Sequence, residues 1–247
     1  MNAFGAMSDD FGVSMFLMSK LDMPTQRESV VHFFESVQKQ FPMMTDFERR
    51  EDGEYALDED RDSGAYRSVV LDRRKLSSAF MNPTDSDSVD AQNETLLEMA
   101  PYHLGVTNLD ADALDVQYGF DFLYTGNHDE IVAEALTAGG PLENLLRVAG
   151  GHALHFQPSL TMALDDTFQL QGRLSVETRS TAYQVRTGNY VEAPISVLFT
   201  VRQFWGKPAL TNFVESYRKQ RKLLDALVSE HVVPNVVQPI ARAIAAK

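Results

Sequence analysis

Hydrophobic residues in the first half of the chain recur with two spacings, one typical of helices and one typical of strands. Between residues 25 and 41 they fall three and four apart, which places Val30, Phe33, Phe34 and Val37 on one helical face. Between residues 114 and 124 they alternate, which predicts a strand whose apolar side is formed by Leu114, Val116, Tyr118, Phe120 and Phe122. We expect Tyr118, Phe120 and Phe122 to face the helices of the first half.

The remaining elements of the first half follow from breaker residues. A buried strand is predicted over Gly12–Ser19, a tight hairpin at Asp52-Gly53, a strand over Tyr66–Leu76 and a helix from about Asp87 to Pro101. The resulting order, βαββαβ, is that of the ferredoxin-like split βαβ arrangement. We therefore expect an α+β protein with a ferredoxin-like unit at residues 1–138.

The second half has a different pattern. Gly139-Gly140-Pro141 predicts a boundary, with 139–151 as a connecting segment. Four strands are expected beyond it, at His155–Leu164, Thr167–Arg179, Thr181–Arg186 and Ala193–Trp205. A long C-terminal helix is expected after Lys207-Pro208. Residues 152–247 are thus predicted to form an antiparallel sheet with one long helix, and the two halves could equally be fused into one domain.

Residues 126–130 read Gly-Asn-His-Asp-Glu, between a strand pattern and a helix pattern. Asn127 is a favourable N-cap, and Glu130 follows it at the spacing of a capping box. The five residues also resemble the motif through which calcineurin-like metallophosphoesterases bring an Asn and a His to a dinuclear metal centre. Residues 151–155, Gly-His-Ala-Leu-His, resemble the last motif of that family with one residue inserted.

The metal-site candidates in this resemblance are His128, Asp129, His152 and His155. The family also carries D-x-H and G-D-x-x-D motifs, and this sequence has neither a D-x-H before residue 126 nor any Gly-Asp pair. A two-metal site needs several ligands within a few ångströms of one another. We therefore expect residues 126–130 to begin a helix, His128 to bind no catalytic metal, and the protein to need no cofactor.

Three other groups of polar residues carry side chains that could bind a ligand. The acidic run Asp58–Gly64 is similar to the start of an EF-hand loop, but a solvated loop is expected because Arg61 lies inside it. Asn108 to Asp115 is expected to be a polar loop before a strand. Four arginines of the second half are expected on a solvated sheet face, with an anion site or carboxylate pairing as the alternative; they are Arg173, Arg179, Arg186 and Arg202.

Charge and composition limit the kinds of partner that the protein is expected to bind. The net charge of −13 disfavours nucleic acid and anionic membrane surfaces. Residues 1–130 hold 10 Lys and Arg against 26 Asp and Glu, a net charge of −16, whereas residues 131–247 have a net charge of +3. The chain has no cysteine, no secretory pattern at its start and no apolar run of about 18 residues, so a cytoplasmic protein is expected.

These observations favour a non-enzymatic assembly or regulatory protein. The alternatives are a metal-dependent hydrolase built on the His and Asp candidates above, or a small-molecule binding protein with a cavity between the sheet and the C-terminal helix. Ile195–Val201 is apolar on both faces of its strand, so both faces need a cover. We therefore expect a homo-oligomer, most simply a dimer, associating through the second half, unless the first half covers that sheet within one chain.

Overall fold

The computed structural model describes residues 4–205 and 212–247. Its strands are β1 (Asp10–Ser19), β2 (Asp46–Arg49), β3 (Tyr55–Asp58), β4 (Tyr66–Leu71), β5 (Lys75–Met81), β6 (Ala111–Tyr124), β7 (Ser159–Ala163), β8 (Leu170–Glu177) and β9 (Ala193–Phe204). They form one nine-stranded sheet in the order β2-β3-β4-β5-β1-β6-β9-β8-β7. Each neighbouring pair is antiparallel. Strands from both halves of the chain therefore share one sheet.

The helices are α1 (Arg27–Gln40), α2 (Ser86–His103), α3 (His128–Thr137), α4 (Glu143–Leu146), α5 (Ala182–Thr187), α6 (Phe213–Leu227) and α7 (Gln238–Ala245). A π-helical segment, Val228–Val237, joins α6 to α7. Pro234 lies inside this segment and does not end the helix, because the chain continues there with π-helical hydrogen bonding. Among the residues that the structure describes, no helix combines the length and apolar character needed to cross a membrane.

One face of the sheet carries the core and the helices. The register places Val13 opposite Tyr118, and Phe120 opposite Val197, all of them buried. Each of three helices contacts the sheet: the ring of Phe34 in α1 packs on Phe47, Gln92 in α2 donates to the Ser78 hydroxyl, and the Tyr118 hydroxyl donates to Asp225 in α6. Tyr118, Phe120 and Phe122 share one buried face, as predicted, but the helix that meets Tyr118 is α6 of the second half and not a helix of the first half.

The second face of the sheet is more polar. In β9, Ser196, Leu198 and Thr200 alternate with the buried core residues. Thr200 accepts a hydrogen bond from the Gln117 side chain at 2.8 Å, and Ser196 accepts one from Arg179 at 2.9 Å. The expectation that β9 is apolar on both faces is therefore only partly met, because hydroxyl groups with polar partners occupy two of these positions.

The mixed α+β content, the antiparallel sheet and the C-terminal helix are confirmed, whereas a ferredoxin-like first half is not. The predicted strand Tyr66–Leu76 is two strands, β4 and β5, because the chain turns at Asp72–Arg74. β1 then lies between β5 and β6, antiparallel to both. The division of the chain at 139–151 stays a prediction, although β6 of the first half pairs with β9 of the second over twelve positions.

Two further strand predictions need correction. Thr181–Arg186 is not a strand but leads into helix α5, because Thr181 and Gln184 form a capping box in which each side chain bonds the other residue's backbone. The strand expected at His155–Leu164 is only the five residues of β7. The predicted helix start at Lys207-Pro208 lies outside the described residues, and α6 is described from Phe213.

Candidate functional site

The Gly-Asn-His-Asp-Glu segment lies between the end of β6 and the start of α3. The Asn127 side-chain oxygen accepts from the Glu130 amide at 3.4 Å, as an N-cap does, and its side-chain nitrogen donates to the Ala153 carbonyl at 2.8 Å. At Gly126 a β-carbon would lie 2.4 Å from the ring of Tyr124, so a side chain there would displace that ring. The predicted helix start is confirmed.

His128 is buried at the first residue of α3, and both ring nitrogens are engaged. Nδ1 accepts from the Arg179 amide at 3.2 Å, and Nε2 lies 3.0 Å from the Tyr124 carbonyl oxygen. A carbonyl only accepts, so Nε2 carries the proton and the ring is neutral. Burial lowers the pKa of His128, and the positive charge of Arg179 acts in the same direction, while the Tyr124 carbonyl and Asp129 oppose it. The imidazole is therefore a structural link between α3 and the chain that follows β8.

Asp129 is 1% exposed and accepts three hydrogen bonds from distant parts of the second half. Its Oδ1 accepts from the Phe156 amide at 2.7 Å and from the Thr178 hydroxyl at 2.8 Å. Its Oδ2 accepts from the Ser180 hydroxyl at 2.8 Å. Phe156 lies just before β7, and Thr178 directly follows β8. His128 and Asp129, which we call the α3 anchor, therefore fix both ends of the β7–β8 hairpin to the rest of the molecule.

The other two predicted ligands do not join the anchor. His152 is exposed, with Nδ1 3.7 Å from a carboxylate oxygen of Glu130, and His155 is exposed in the segment before β7. Within residues 4–205 and 212–247, no group of three or more His, Asp or Glu side chains is placed to hold a metal ion. The four candidates of the sequence are thus divided between a buried, hydrogen-bonded pair and two surface side chains.

The acidic run after β3 is only partly a solvated loop. Asp58 and Glu59 are buried, which corrects the prediction for these two residues. Asp58 accepts from Arg61 at 2.6 Å, from Arg50 at 3.3 Å and from the Ser68 hydroxyl at 2.5 Å. The hydrogen bond to Asp58 raises the pKa of Arg61. Asp58 therefore anchors the β2–β3 side of the sheet, as Asp129 anchors the β7–β8 side.

The arginines of the second half do not form one anion site. Arg202 makes a bidentate ion pair with Asp115, at 2.7 and 2.6 Å, and this hydrogen bonding raises the pKa of Arg202. The sequence predicted that Asp115 belongs to a polar loop. The structure corrects this, because Asp115 is a buried residue inside β6. Arg179 donates to the Pro194 carbonyl at 2.6 Å, and Arg186 packs over the ring of Tyr183. Carboxylate pairing, the alternative interpretation, holds for Arg202.

A buried polar network between α2 and α6 was missed by the sequence reasoning. The Tyr217 hydroxyl donates to Asp90 at 2.6 Å and accepts from Asn93 at 3.0 Å. Burial, reinforced by the negative charge of Asp90, raises the pKa of Tyr217. Arg221 binds Asp225 at 2.5 Å and lies over the ring of Tyr118. These contacts fix α6 against α2 and the sheet. The sequence signal for such a network is the presence of polar residues on otherwise apolar helix faces.

A cavity of about 700 Å³ lies between α2 and the start of α6 and not, as predicted, between the sheet and the C-terminal helix. Its lining includes Leu97, Pro101, Val106 and Arg218, and the guanidinium of Arg218 is bound to Glu94 at 2.6 and 2.7 Å. Asn212 and Phe213 also line it and directly follow residues 206–211, which lie outside the described part of the chain. The cavity therefore supports no specific ligand.

The strand β7 is the most exposed regular element of the second half. Within the described part of the chain it pairs along one side, with β8, and all five of its residues are exposed. Leu160 and Met162 remain 54% and 37% exposed. The strand, Ser-Leu-Thr-Met-Ala, carries no charge.

When the chain is compared with protein-family models and with curated proteins, neither comparison finds a match.

Proposed function

We propose that this protein is a non-enzymatic assembly protein that works as a homo-oligomer, most simply a dimer, built through the sheet of its second half. The observation that carries the proposal is the edge strand β7, which is exposed, uncharged and apolar at Leu160 and Met162. An unprotected sheet edge of this kind favours pairing with another chain. The cytoplasmic location and the absence of nucleic-acid and membrane partners stay predictions from composition.

The metal-dependent hydrolase is less well supported because of how its two central residues are bonded. His128 uses both ring nitrogens, and Asp129 uses both carboxylate oxygens, in contacts within the chain. Either residue would have to leave buried donors or acceptors without partners to bind a metal, which costs about 1–3 kcal/mol for each group. Elemental analysis that finds near-stoichiometric zinc, manganese or iron, lost in His128→Ala, would restore this alternative.

The assembly proposal is tested by the mass of the chain in solution. Sedimentation velocity between about 1 and 100 µM should show a species of twice the chain mass of 27.7 kDa. An interface made mainly by one short strand on each copy is small, so we expect dissociation in the micromolar range. The mass should depend little on salt, because β7 is uncharged. A chain that stays monomeric over the whole range contradicts the proposal.

A further inference from the structure

The backbone of β7 has a definite outward side. The Val176 amide donates to the Pro158 carbonyl, and the Leu164 amide donates to the Leu170 carbonyl. Backbone groups alternate in direction along an antiparallel strand, so the even-numbered residues between 158 and 164 face β8. The amides and carbonyls of Ser159, Thr161 and Ala163 consequently point away from the sheet, where they can pair with a further strand.

The two faces of β7 carry side chains of different size. Leu160 lies opposite Leu174 and Met162 opposite Gly172, on the face of the sheet that carries the core. Ser159, Thr161 and Ala163 lie on the other face. A strand added beside β7 would therefore meet two large apolar side chains on one face and three small side chains on the other.

We propose that β7 pairs antiparallel with β7 of a second copy, with the two Thr161 residues opposite each other on a two-fold axis. This inference rests on the proposed self-association and specifies its interface. Thr161 is an outward-facing residue, so the pair on the axis exchanges both backbone hydrogen bonds, and Ser159 does the same with Ala163 of the second copy. The pairing adds about six backbone hydrogen bonds and joins the two sheets edge to edge.

The strand is complementary to itself in this register. Leu160 comes to lie opposite Met162 of the second copy, so four large apolar side chains meet on the core face. Ser159 comes to lie opposite Ala163, which matches small side chains on the other face. None of the five residues of β7 is ionisable, so the paired strands themselves bring no like charges opposite each other.

The opposite edge of the sheet does not suit the same role. β2 carries Asp46, Glu48 and Arg49 among its four residues. Pairing β2 with β7 of another copy would place these charges against an uncharged strand and would extend without closing. The two-fold pairing of β7 instead closes after two copies.

Single cysteine variants test the register, because the chain has no native cysteine. Residues directly opposite in a hydrogen-bonded antiparallel pair have Cα atoms about 5.5 Å apart, within the range of a disulfide. Thr161→Cys should therefore form a disulfide-linked dimer under mild oxidation. Ser159→Cys and Ala163→Cys are matched controls: each is about 13 Å from its own copy in this register and should not crosslink alone. A mixture of the two should crosslink.

The outcomes separate the register from the proposed function. A linked dimer with Thr161→Cys and with the mixture, and none with either control alone, supports the two-fold pairing. A chain that sediments as a dimer but shows no Thr161→Cys crosslink overturns the β7 register and leaves self-association standing. A chain that sediments as a monomer overturns both. Circular dichroism on each variant checks that the exposed substitutions leave the fold intact.

Discussion

The two edge strands of the sheet, β2 and β7, differ in the features that prevent an exposed strand from pairing with another chain. β2 is four residues long, three of them charged, and Phe47 packs against Phe34 of α1 with ring centroids 5.2 Å apart. β7 has no charge, and its two large apolar side chains, Leu160 and Met162, are 54% and 37% exposed. Short length, charge and a covering helix are known ways to prevent edge pairing. The charges and the covering helix at β2, and their absence at β7, are what the proposed pairing through β7 requires.

The buried carboxylates beside the two edges differ as well. Asp58 is bonded to two arginines whose side chains are 28% and 57% exposed, in addition to the Ser68 hydroxyl. Asp129 is bonded to one amide and two hydroxyls and is itself almost fully buried. The β2 edge is therefore held by arginines that water can reach, whereas the β7 edge is held through a carboxylate that is itself almost fully buried.

The largest expected effect on stability comes from removing the hydrogen bonds that Asp129 accepts. Asp129→Ala should lower the free energy of unfolding by about 3 kcal/mol, because it leaves the buried Thr178 hydroxyl and two half-buried donors, the Phe156 amide and the Ser180 hydroxyl, without an acceptor. Asp58→Ala should cost about 1–2 kcal/mol, since water can solvate the two freed arginines. Urea unfolding of both variants measures the difference. Equal losses, or a larger loss for Asp58→Ala, would contradict the contrast between the anchors.

A positive charge introduced on β7 should prevent the proposed pairing of this strand, so that β7 would no longer differ from the charged strand β2. Thr161→Lys places two like charges directly opposite each other on the proposed axis, which disfavours pairing. We expect the dimer dissociation constant to rise at least about tenfold, a change of about 1.4 kcal/mol. Sedimentation velocity compares this variant with Glu48→Lys on β2 as the matched control. If Glu48→Lys weakens the dimer as much, the interface is not confined to β7.

The elements themselves could largely be predicted from local sequence. Alternation predicted β6, and Asn127 with Glu130 predicted the start of α3. For α5, the spacing of Thr181 and Gln184 is the local signal of a capping box, and it identifies the helix that the strand prediction at Thr181–Arg186 missed. These signals are readable because they act over a few residues.

The arrangement of the elements could not be predicted in the same way. The position of β1 between β5 and β6, and the pairing of β6 with β9, depend on contacts between residues far apart in sequence. The role of Asp129 was hidden for the same reason, because Thr178 and Ser180 lie about fifty positions away and carry no motif.

A smaller effect is expected from pH. Burial lowers the pKa of His128 in the α3 anchor, and burial together with the positive charge of His32 lowers the pKa of His103. The unfolded chain therefore binds protons at these residues before the folded chain does, so stability falls as the pH drops below about 6.5. The free energy of unfolding between pH 7.5 and 5 should fall less steeply in His128→Gln than in the native chain. His231→Gln, at an exposed position, is the control, and an unchanged slope in His128→Gln would contradict the prediction.

Hydrogen exchange at the two edges tests the central claim most directly. The outward amides are those of Ser159, Thr161 and Ala163 in β7 and, because the Arg50 amide bonds to the Glu54 carbonyl, those of Phe47 and Arg49 in β2. At about 100 µM the β7 amides should exchange slowly, and they should become fast on dilution and in Thr161→Lys, while the β2 amides stay fast throughout. Fast exchange of the β7 amides at every concentration, or protection that appears at β2 instead, would contradict pairing through β7.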